Sequence, residues 1–265
     1  MKLEVLISCM HQQDDNIIYR SHLQSDAIII NQCDINKVEN ITYKNTFNET
    51  CKVRLISTTD RGLSNSRNMA IANANGDFCL ICDDDERFFP TYVQDIIKAF
   101  QDLPQADVIA FQVQRSPSKL YHERIKKLNF LDCLKISSVE IAFRLAKIKE
   151  KNISFNRNIG SGMTKAGGEE NIFLHDCLRN KLSIYYVPKT IAQLLPGDSQ
   201  WSSTKFSKEY FIDRGKFTKK LIGGNFFAIL YAFYFSIAKY NLYKSKMSML
   251  QALKYMLYGI LKIKS

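Results

Sequence analysis

Proline and glycine are scarce in this sequence, with five Pro and eleven Gly among 265 residues. That scarcity excludes collagen-like and low-complexity chains. Cysteine lacks regular spacing, and an odd total of seven argues against a secreted disulfide scaffold, so reduced cytosolic thiols are expected. No fixed-period repeat is present, which argues against a solenoid. The first residues, Met1–Val5, carry an acid and no small-residue cleavage site, and they predict a first strand rather than a signal peptide.

Acidic residues are missing from the last part of the chain, where none follows Asp213. Residues 1–204 hold 25 Lys or Arg and 24 Asp or Glu, whereas residues 205–265 hold 12 and 2, so the net charge of +11 divides into +1 and +10. With 46% apolar residues, the chain is able to bury a large core. We therefore predict a balanced globular domain over residues 1–204 and a basic tail over residues 205–265.

Strand and helix patterns alternate along the first part of the chain. The predicted strands are Leu3–Met10, Ala27–Asn31, Cys51–Thr58, Phe78–Cys82 and Val108–Val113. Helices are predicted over Ile17–Leu23, over Ser64–Asn75, and from Pro90 or Thr91 to Phe100. This alternation is typical of an α/β fold with a mostly parallel, doubly wound sheet, whose ligands gather at the carboxyl ends of the strands. Beyond it, we predict a glycine-rich loop, a helix and a short strand over Asn158–Gly168, Glu169–Leu182 and Ile184–Val187, the strand ending at Pro188.

An apolar strand runs directly into three aspartates, Asp83, Asp84 and Asp85. Adjacent carboxylates repel one another, and a bound divalent cation removes that repulsion. If strand geometry continues, Asp83 and Asp85 point the same way and form a two-carboxylate clamp. A solvated acidic turn is the alternative. The apolar strand and the binding edge of the sheet favour Mg²⁺ or Mn²⁺, with coordination positions left for substrate phosphate oxygens.

The segment Thr59–Asn68 lies between the predicted third and fourth strands and faces the same edge. Its Arg61 and Arg67 offer guanidinium groups suited to phosphate oxygens. A helix start with a surface arginine is the alternative interpretation.

The run RGLSNSRNMAIANANGDFCLICDDDE, residues 61–86, resembles the core signature of family 2 glycosyltransferases. That signature is a Gly-x-Ser-x-x-Arg-Asn helix, a Gly-Asp turn, an apolar strand and a DxD-type acidic end. Downstream, Gly167-Gly168-Glu169-Glu170-Asn171 is similar to the family's Gly-Glu-Asp motif, and Gln32-Cys33-Asp34 stands where the family has an acidic turn. The resemblance covers about residues 3–200.

The resemblance implies a GT-A fold, a nucleotide-sugar donor that is most often a UDP-sugar, a divalent cation, and inversion at the anomeric carbon. Residues 1–115 would then bind the nucleotide-sugar and residues 116–204 the acceptor. The positions implied at the donor site are Asp34 at the uracil or ribose, Arg67 near the diphosphate, and Asp83 and Asp85 at the metal and diphosphate with Asp84 beside them.

The general base is implied at the start of the helix that follows the glycine-rich loop. Glu170 stands where the family has an aspartate, with Glu169 next to it. Either carboxylate is a candidate to deprotonate the acceptor hydroxyl, and we favour Glu170. The opening turn, Cys9–Gln12, lacks the family's usual Pro-x-Tyr-Asn.

The basic tail contains an uncharged stretch of 18 residues, Leu221–Ala238, with lysines on both sides. That length is near the lower limit for a membrane-spanning helix. A second segment, Met247–Ile263, places apolar residues at helical spacing among lysines. We predict helices that lie at a membrane interface and are drawn to anionic lipid. A spanning hairpin and helices packed on the sheet are the alternatives, and no nucleic-acid-reading motif is present.

Together these features predict an inverting, metal-dependent glycosyltransferase at the cytoplasmic face of a bacterial inner membrane, peripheral or with an inserted tail. It would extend a lipid-linked saccharide in surface-polysaccharide synthesis. One alternative is a phosphotransfer enzyme of the haloacid dehalogenase kind, which carries Asp-x-Asp after its first strand, whereas here the motif follows the predicted fourth. The other is a non-catalytic, membrane-docked nucleotide-binding module.

Overall fold

The computed structural model describes residues 1–116, 119, 122–195 and 206–262. Within these ranges the strands are β1 Leu3–Met10, β2 Asp26–Gln32, β3 Lys37–Lys44, β4 Thr50–Thr58, β5 Phe78–Asp83, β6 Glu86–Phe88, β7 Val108–Gln114, β8 Lys126–Lys127, β9 Ile141–Arg144 and β10 Ile184–Leu194. The helices are α1 Asn16–Arg20, α2 Leu63–Asn73, α3 Tyr92–Asp102, α4 Phe130–Cys133, α5 Leu145–Glu150, α6 Glu169–Arg179, α7 Lys208–Ile222, α8 Asn225–Ala238, α9 Tyr240–Tyr243 and α10 Met249–Lys262.

The chain divides into two compact units. The first, here called the sheet unit, consists of Met1–Phe155 and Phe173–Gly197. The second, here called the helical unit, consists of Asn156–Ile172 and Asp198–Ser265. The helical unit therefore includes the glycine-rich loop as well as the C-terminal helices. The predicted boundary between residues 204 and 205 lies outside the described residues.

The sheet has the strand order β3-β4-β2-β1-β5-β9-β7-β10-β6, and β8 pairs with β10. Strands β4, β2, β1 and β5 are mutually parallel, and β7 is parallel to β10. Strand β9 runs antiparallel between β5 and β7, while β3 and β6 are antiparallel additions. Alternate residues of β1 enter two separate apolar clusters, Val5 in one and Leu6 in the other. Both faces of the sheet are therefore covered, as parallel strands require.

Four of the strands given above were not predicted from the sequence: β3, β6, β8 and β9. The longest of them is the antiparallel edge strand β3. β3 lies between the predicted second and third strands, so the predicted third strand, Cys51–Thr58, is β4. The three aspartates therefore lie at the end of the fifth strand of the chain, not the fourth. Most side chains of β3 are exposed, and it pairs only with β4 among the strands described. An exposed edge strand lacks the long apolar run that marked its neighbours.

The prediction that the last strand ends at Pro188 is wrong. Strand β10 continues through Pro188 to Leu194. Its pairing with β7 shifts register between Tyr186 and Thr190. Proline has no N–H to donate, and an irregularity at this point allows the strand to continue without that donor.

In the helical unit, helices α7, α8 and α10 pack around a core that contains Phe211, Tyr243 and Met256. The uncharged stretch 221–238 is not one helix, because α7 ends at Ile222 and α8 begins at Asn225. Over the described part of the chain, no helix combines the length and apolar character needed to cross a membrane. Met256 and Ile260 of α10, predicted to face a membrane interface, are fully buried in this core.

Candidate active site

The carboxyl ends of β1, β2, β4 and β5 meet at one edge of the sheet, because these strands are parallel and in register. Ser8 of β1 pairs with Asp83 of β5, and Gln32 of β2 pairs with Thr58 of β4. The acidic residues that follow β5 therefore lie at the same edge as the turns that follow β2 and β4. In open α/β sheets, such an edge is where ligands bind.

Asp83 is held in place by a buried arginine of α2. Arg67 Nη2 donates hydrogen bonds to both carboxylate oxygens of Asp83, at 2.9 and 3.2 Å, and to Ser138 Oγ at 2.8 Å. The Arg67 side chain is 1% exposed, against 29% for Asp83. Its guanidinium carbon also lies 5.3 Å from the centre of the Phe155 ring. Arg67, predicted near the donor diphosphate, is thus enclosed by protein groups, and it fixes the carboxylate of Asp83.

The next two aspartates, Asp84 and Asp85, are partly buried and lie near other carboxylates. Burial, followed by the charge of Asp83, raises the pKa of Asp84, and burial with the charges of Asp83 and Asp84 raises the pKa of Asp85. Arg20 donates to the backbone oxygen of Asp84 at 3.2 Å, and Gln12 Nε2 lies 3.5 Å from its carboxylate. A raised carboxyl pKa means that the ionised form is disfavoured until positive charge is added.

The acidic edge fits a divalent cation that is shared with a substrate. Among the described residues, no group of three or more His, Cys, Asp or Glu side chains is arranged to hold a metal ion by itself. Mg²⁺ in phosphate-handling sites is commonly bound by one or two carboxylates together with substrate phosphates. β5 ends at Asp83 and a turn follows, so the strand geometry assumed for the predicted clamp of Asp83 and Asp85 does not continue. Asp83, Asp84 and Asp85 still offer hard oxygen ligands, and a cation would relieve the repulsion of Asp85 by the other two carboxylates.

Two other predicted site residues, Asp34 and Arg61, form an ion pair at the ends of β2 and β4. Arg61 Nη2 lies 2.6 Å from Asp34 Oδ1, and the Asp34 side chain is 85% exposed. Arg61 Nη1 also donates to the backbone oxygens of Cys33 and Thr59 at 2.9 and 2.8 Å. The guanidinium of Arg61 therefore fixes the turn that presents Asp34, and much of its own hydrogen-bonding capacity is used there.

Several residues at this edge were not predicted from the sequence. Asn31 Nδ2 donates to the backbone oxygen of Gln12 at 2.8 Å, and Gln12 N–H donates to Asn31 Oδ1 at 3.0 Å, which fixes the turn after β1. Glu86 is buried and accepts the N–H of Asp83 at 3.2 Å. Burial, then the charge of Asp83, raises the pKa of Glu86 well above its usual range. The position of Glu86 beside the acidic triplet was the available sequence signal.

A second charged cluster follows β7. Glu140 is fully buried, and its carboxylate accepts from Arg115 at 2.7 Å and from Lys119 at 2.6 Å. The charge of Arg115 also acts to lower the pKa of Asp85, against the stronger effects that raise it. This cluster was missed from the sequence, although Arg115 lies two residues beyond the predicted strand Val108–Val113 and thus near the binding edge.

The two candidate bases begin α6 and belong to the helical unit. Glu169 is 5% exposed and packs against Gly160, where an added Cβ would lie 3.1 Å from Glu169 Oε2. Glu170 is partly exposed. Carboxylates in the first turn of a helix are stabilised by its N-terminal dipole. Of the two, Glu170 is the carboxylate that solvent reaches more readily.

The mostly parallel sheet, the acidic end of β5 and the helix that opens with two glutamates are the features of a GT-A glycosyltransferase. The chain belongs to glycosyl transferase family 2, whose sequence profile matches residues 5–166. The predicted family, fold class and enzyme class are therefore confirmed, and the phosphotransfer alternative is set aside. No match to the chain was found among curated protein sequences.

Solved structures similar to this chain include crystal structures of S. aureus TarS. TarS 1-349 in complex with UDP-GlcNAc has a TM-score of 0.65 and 15% sequence identity, over 98% of this chain and 82% of that one. TarS 1-349 in complex with UDP has a TM-score of 0.62 at 15% identity, over 98% and 81%. A further TarS structure has a TM-score of 0.62 at 14% identity, over 99% of this chain and 50% of that one. At such low identity the likeness shows the shared fold.

Proposed function

We propose that the chain transfers a sugar from a UDP-sugar to a hydroxyl group of a lipid-linked saccharide, with inversion, in the synthesis of a surface polysaccharide. The observation that carries this proposal is the acidic end of β5, at the ligand-binding edge of a family 2 fold. The structures of TarS with UDP-GlcNAc and with UDP support a uridine nucleotide as the donor's leaving group.

In this proposal the donor lies along the strand ends. Asp83 and Asp85 bind Mg²⁺ or Mn²⁺ and the diphosphate, with Asp84 beside them. Asp34 contacts the uracil or ribose, and Arg61 holds Asp34 in position through their 2.6 Å contact. Arg67 acts through Asp83, since its guanidinium is 1% exposed. A bound cation would supply the positive charge that stabilises the departing UDP.

We assign the general base to Glu170. Its carboxylate accepts the proton of the acceptor hydroxyl while the hydroxyl oxygen bonds to the anomeric carbon and the bond from that carbon to the diphosphate oxygen breaks. Attack from the face opposite the leaving group inverts the anomeric configuration. Such a base contributes about 10²–10⁴-fold in rate. Glu169 is nearly buried against Gly160, which supports a structural role for this neighbour.

We place the enzyme at the cytoplasmic face of the inner membrane, as a peripheral protein on an anionic surface, with no nucleic-acid partner. The charge of +10 over residues 205–265 supports this location. A lipid-linked acceptor fits it, since such a substrate is confined to the same surface.

A thermal-shift screen of nucleotide-sugars with Mn²⁺ tests the donor assignment. UDP-sugars, including UDP-Glc, UDP-Gal and their N-acetyl forms, should raise the melting temperature of the full chain, and GDP-sugars should raise it less. The effect should be lost in Asp85→Asn and retained in Asp102→Asn, a matched change at an exposed site on α3. Stabilisation by every nucleotide alike, or by none, would contradict a UDP-sugar donor.

A further inference from the structure

Helix α8 has two opposite apolar faces. One face packs into the core of the helical unit through Ala228, Ala232 and Phe235, which are at most 6% exposed. The other face, here called the outer stripe, carries six large apolar side chains that are 45–68% exposed. They are Phe226, Phe227, Leu230, Phe233, Tyr234 and Ile237. Their spacing places them on the side of the helix away from the buried residues.

The orientation of α8 is set by the core, so the outer stripe is a fixed surface. Arg214 of α7 donates to Tyr231 Oη at 2.9 Å, and its guanidinium carbon lies 5.0 Å from the centre of the Phe235 ring. Rotating the helix to bury the outer stripe would expose Phe235 and separate these groups. A continuous exposed apolar surface of this kind marks an interaction site.

The charges beside α8 identify the kind of partner. Lys219 and Lys220 precede the helix, and Lys239, Lys244 and Lys246 follow it, while no acidic residue occurs after Asp213. Among these lysines, 220, 239, 244 and 246 are exposed. An apolar face with lysines at both ends matches the boundary between acyl chains and anionic headgroups.

We propose that the outer stripe is the surface by which the protein inserts into one leaflet of an anionic membrane. Helix α8 has 14 residues and spans about 21 Å, against about 30 Å of hydrocarbon, so it lies along the interface and does not cross it. The stripe's rings and aliphatic chains enter the acyl boundary, and the flanking lysines bind lipid phosphates. A second copy of the chain is a poorer occupant, because a symmetric contact through α8 would bring lysines together without acidic residues of this region to neutralise them.

This proposal rests only on the membrane location in the proposed function. It narrows the contact predicted for both apolar segments of the tail to α8, since Met256 and Ile260 of α10 are buried. The consequence is specific. Substitutions on the outer stripe should weaken membrane binding while leaving nucleotide binding intact, since Asp83–Asp85 belong to the sheet unit.

Vesicle flotation of the full chain tests the proposal. The test variant is Phe226→Gln/Leu230→Gln/Ile237→Gln. Its control makes the same change at three exposed apolar residues of the sheet unit, Ile35→Gln/Val38→Gln/Leu131→Gln, which are 58–76% exposed. Vesicles of phosphatidylcholine alone are compared with vesicles that contain about 30% phosphatidylglycerol.

We expect the wild type and the control to float with anionic vesicles and to be partly released by high salt. The test variant should bind about tenfold or more weakly, since each buried apolar side chain contributes to insertion. A second variant, Phe227→Gln/Tyr234→Gln, should also weaken binding, and it keeps the test valid if the first variant misfolds.

Equal flotation of both stripe variants and the wild type would overturn the proposal. Failure of the wild type to bind anionic vesicles would overturn it as well. A lipid-free dimer that only the stripe variants abolish would instead identify a second copy as the partner. UDP binding, measured separately without vesicles, reports on the donor site, so failure of either proposal is recognisable.

Discussion

At the scale of single residues, the buried Arg67 gives the three aspartates at the end of β5 different properties. Asp83 shares both of its oxygens with the guanidinium, at 2.9 and 3.2 Å, and so contributes to the fold as well as to the site. For Asp84 and Asp85, burial and neighbouring negative charge raise the pKa. Neutralising Asp83 should therefore lower stability, whereas neutralising Asp85 should not, although each change removes a proposed metal ligand.

Asp83→Asn should lower the free energy of unfolding by about 2 kcal/mol, because it leaves the charge of Arg67 buried without its carboxylate. Asp85→Asn should change it by about 0.5 kcal/mol or less, because it removes a disfavoured charge, yet it should abolish transfer. Urea unfolding of both variants, followed by a transfer assay, gives the comparison. Equal stability losses would show that the Arg67–Asp83 pair does not support the fold.

Glu170→Gln keeps the size of the side chain but cannot accept a proton at neutral pH. We expect turnover to fall about 10²-fold or more, with the affinity for the UDP-sugar unchanged. Glu169→Gln should retain more turnover and should mainly change stability, since Glu169 is buried against Gly160. Steady-state kinetics and thermal melts separate these effects, and the reverse ordering would move the base to Glu169.

The sequence predicted the acidic residues because an apolar strand stops abruptly at Asp83. It did not predict what Arg67 does, because the groups that enclose this arginine come from distant parts of the chain. Ser138 and Phe155 follow Arg67 by more than 70 residues, and no local pattern links them to it. The burial of a side chain by distant segments is a property of the tertiary structure alone.

At the scale of secondary-structure elements, the long buried strands were predictable, whereas exposed, irregular or very short ones, such as the four-residue β9, were not. The sequences of β1 and β5 are nearly continuous apolar runs, because both faces of these strands are covered. β3 has an exposed edge, and β10 passes through Pro188, so both depart from the patterns on which sequence analysis depends. For α10, apolar spacing predicted an amphipathic helix but did not distinguish a protein core from a lipid surface.

Helices α7 and α10 approach each other closely through two glycines. An added Cβ would lie 2.1 Å from the Met256 backbone oxygen at Gly215, and 2.0 Å from the Ile212 backbone oxygen at Gly259. No side chain fits at either point without moving a helix. This contact between backbones is therefore central to the packing of the helical unit.

Gly259→Ala should destabilise the helical unit by about 2 kcal/mol or more, although alanine has the higher helix propensity. Gly224→Ala is the matched control, since a Cβ there meets nothing within 4 Å, and it should change stability by about 1 kcal/mol or less. Limited proteolysis and thermal unfolding measure the difference. Equal behaviour of the two variants would refute the close α7–α10 contact.

At the scale of the whole molecule, charge and chemistry are divided between the two units. The acidic edge proposed to bind the donor belongs to the sheet unit, while the candidate bases and the basic C-terminal helices belong to the helical unit. The excess of +10 over residues 205–265 was visible in the sequence. The outer stripe of α8 was not visible in the sequence, because an exposed face of this helix is defined only by the burial of its opposite face.

Removing divalent cations should abolish transfer by the full chain without unfolding it. Burial, together with the charges of Asp83 and Asp84, raises the pKa of Asp85, and a bound cation would favour the ionised carboxylates at this edge. EDTA should stop the reaction, and Mn²⁺ or Mg²⁺ should restore it. Circular dichroism in EDTA serves as the control for folding. Full activity in EDTA would contradict the role of a metal.

The most direct test of the central claim is donor hydrolysis by the full chain in the absence of acceptor. With Mn²⁺ present, we predict slow release of UDP and free sugar from at least one UDP-sugar, and loss of this release in Asp85→Asn. Cleavage of simple phosphate esters would contradict the claim that this chain is a UDP-sugar-dependent glycosyltransferase. The claim would also be contradicted if the folded protein neither binds UDP nor releases sugar from any UDP-sugar.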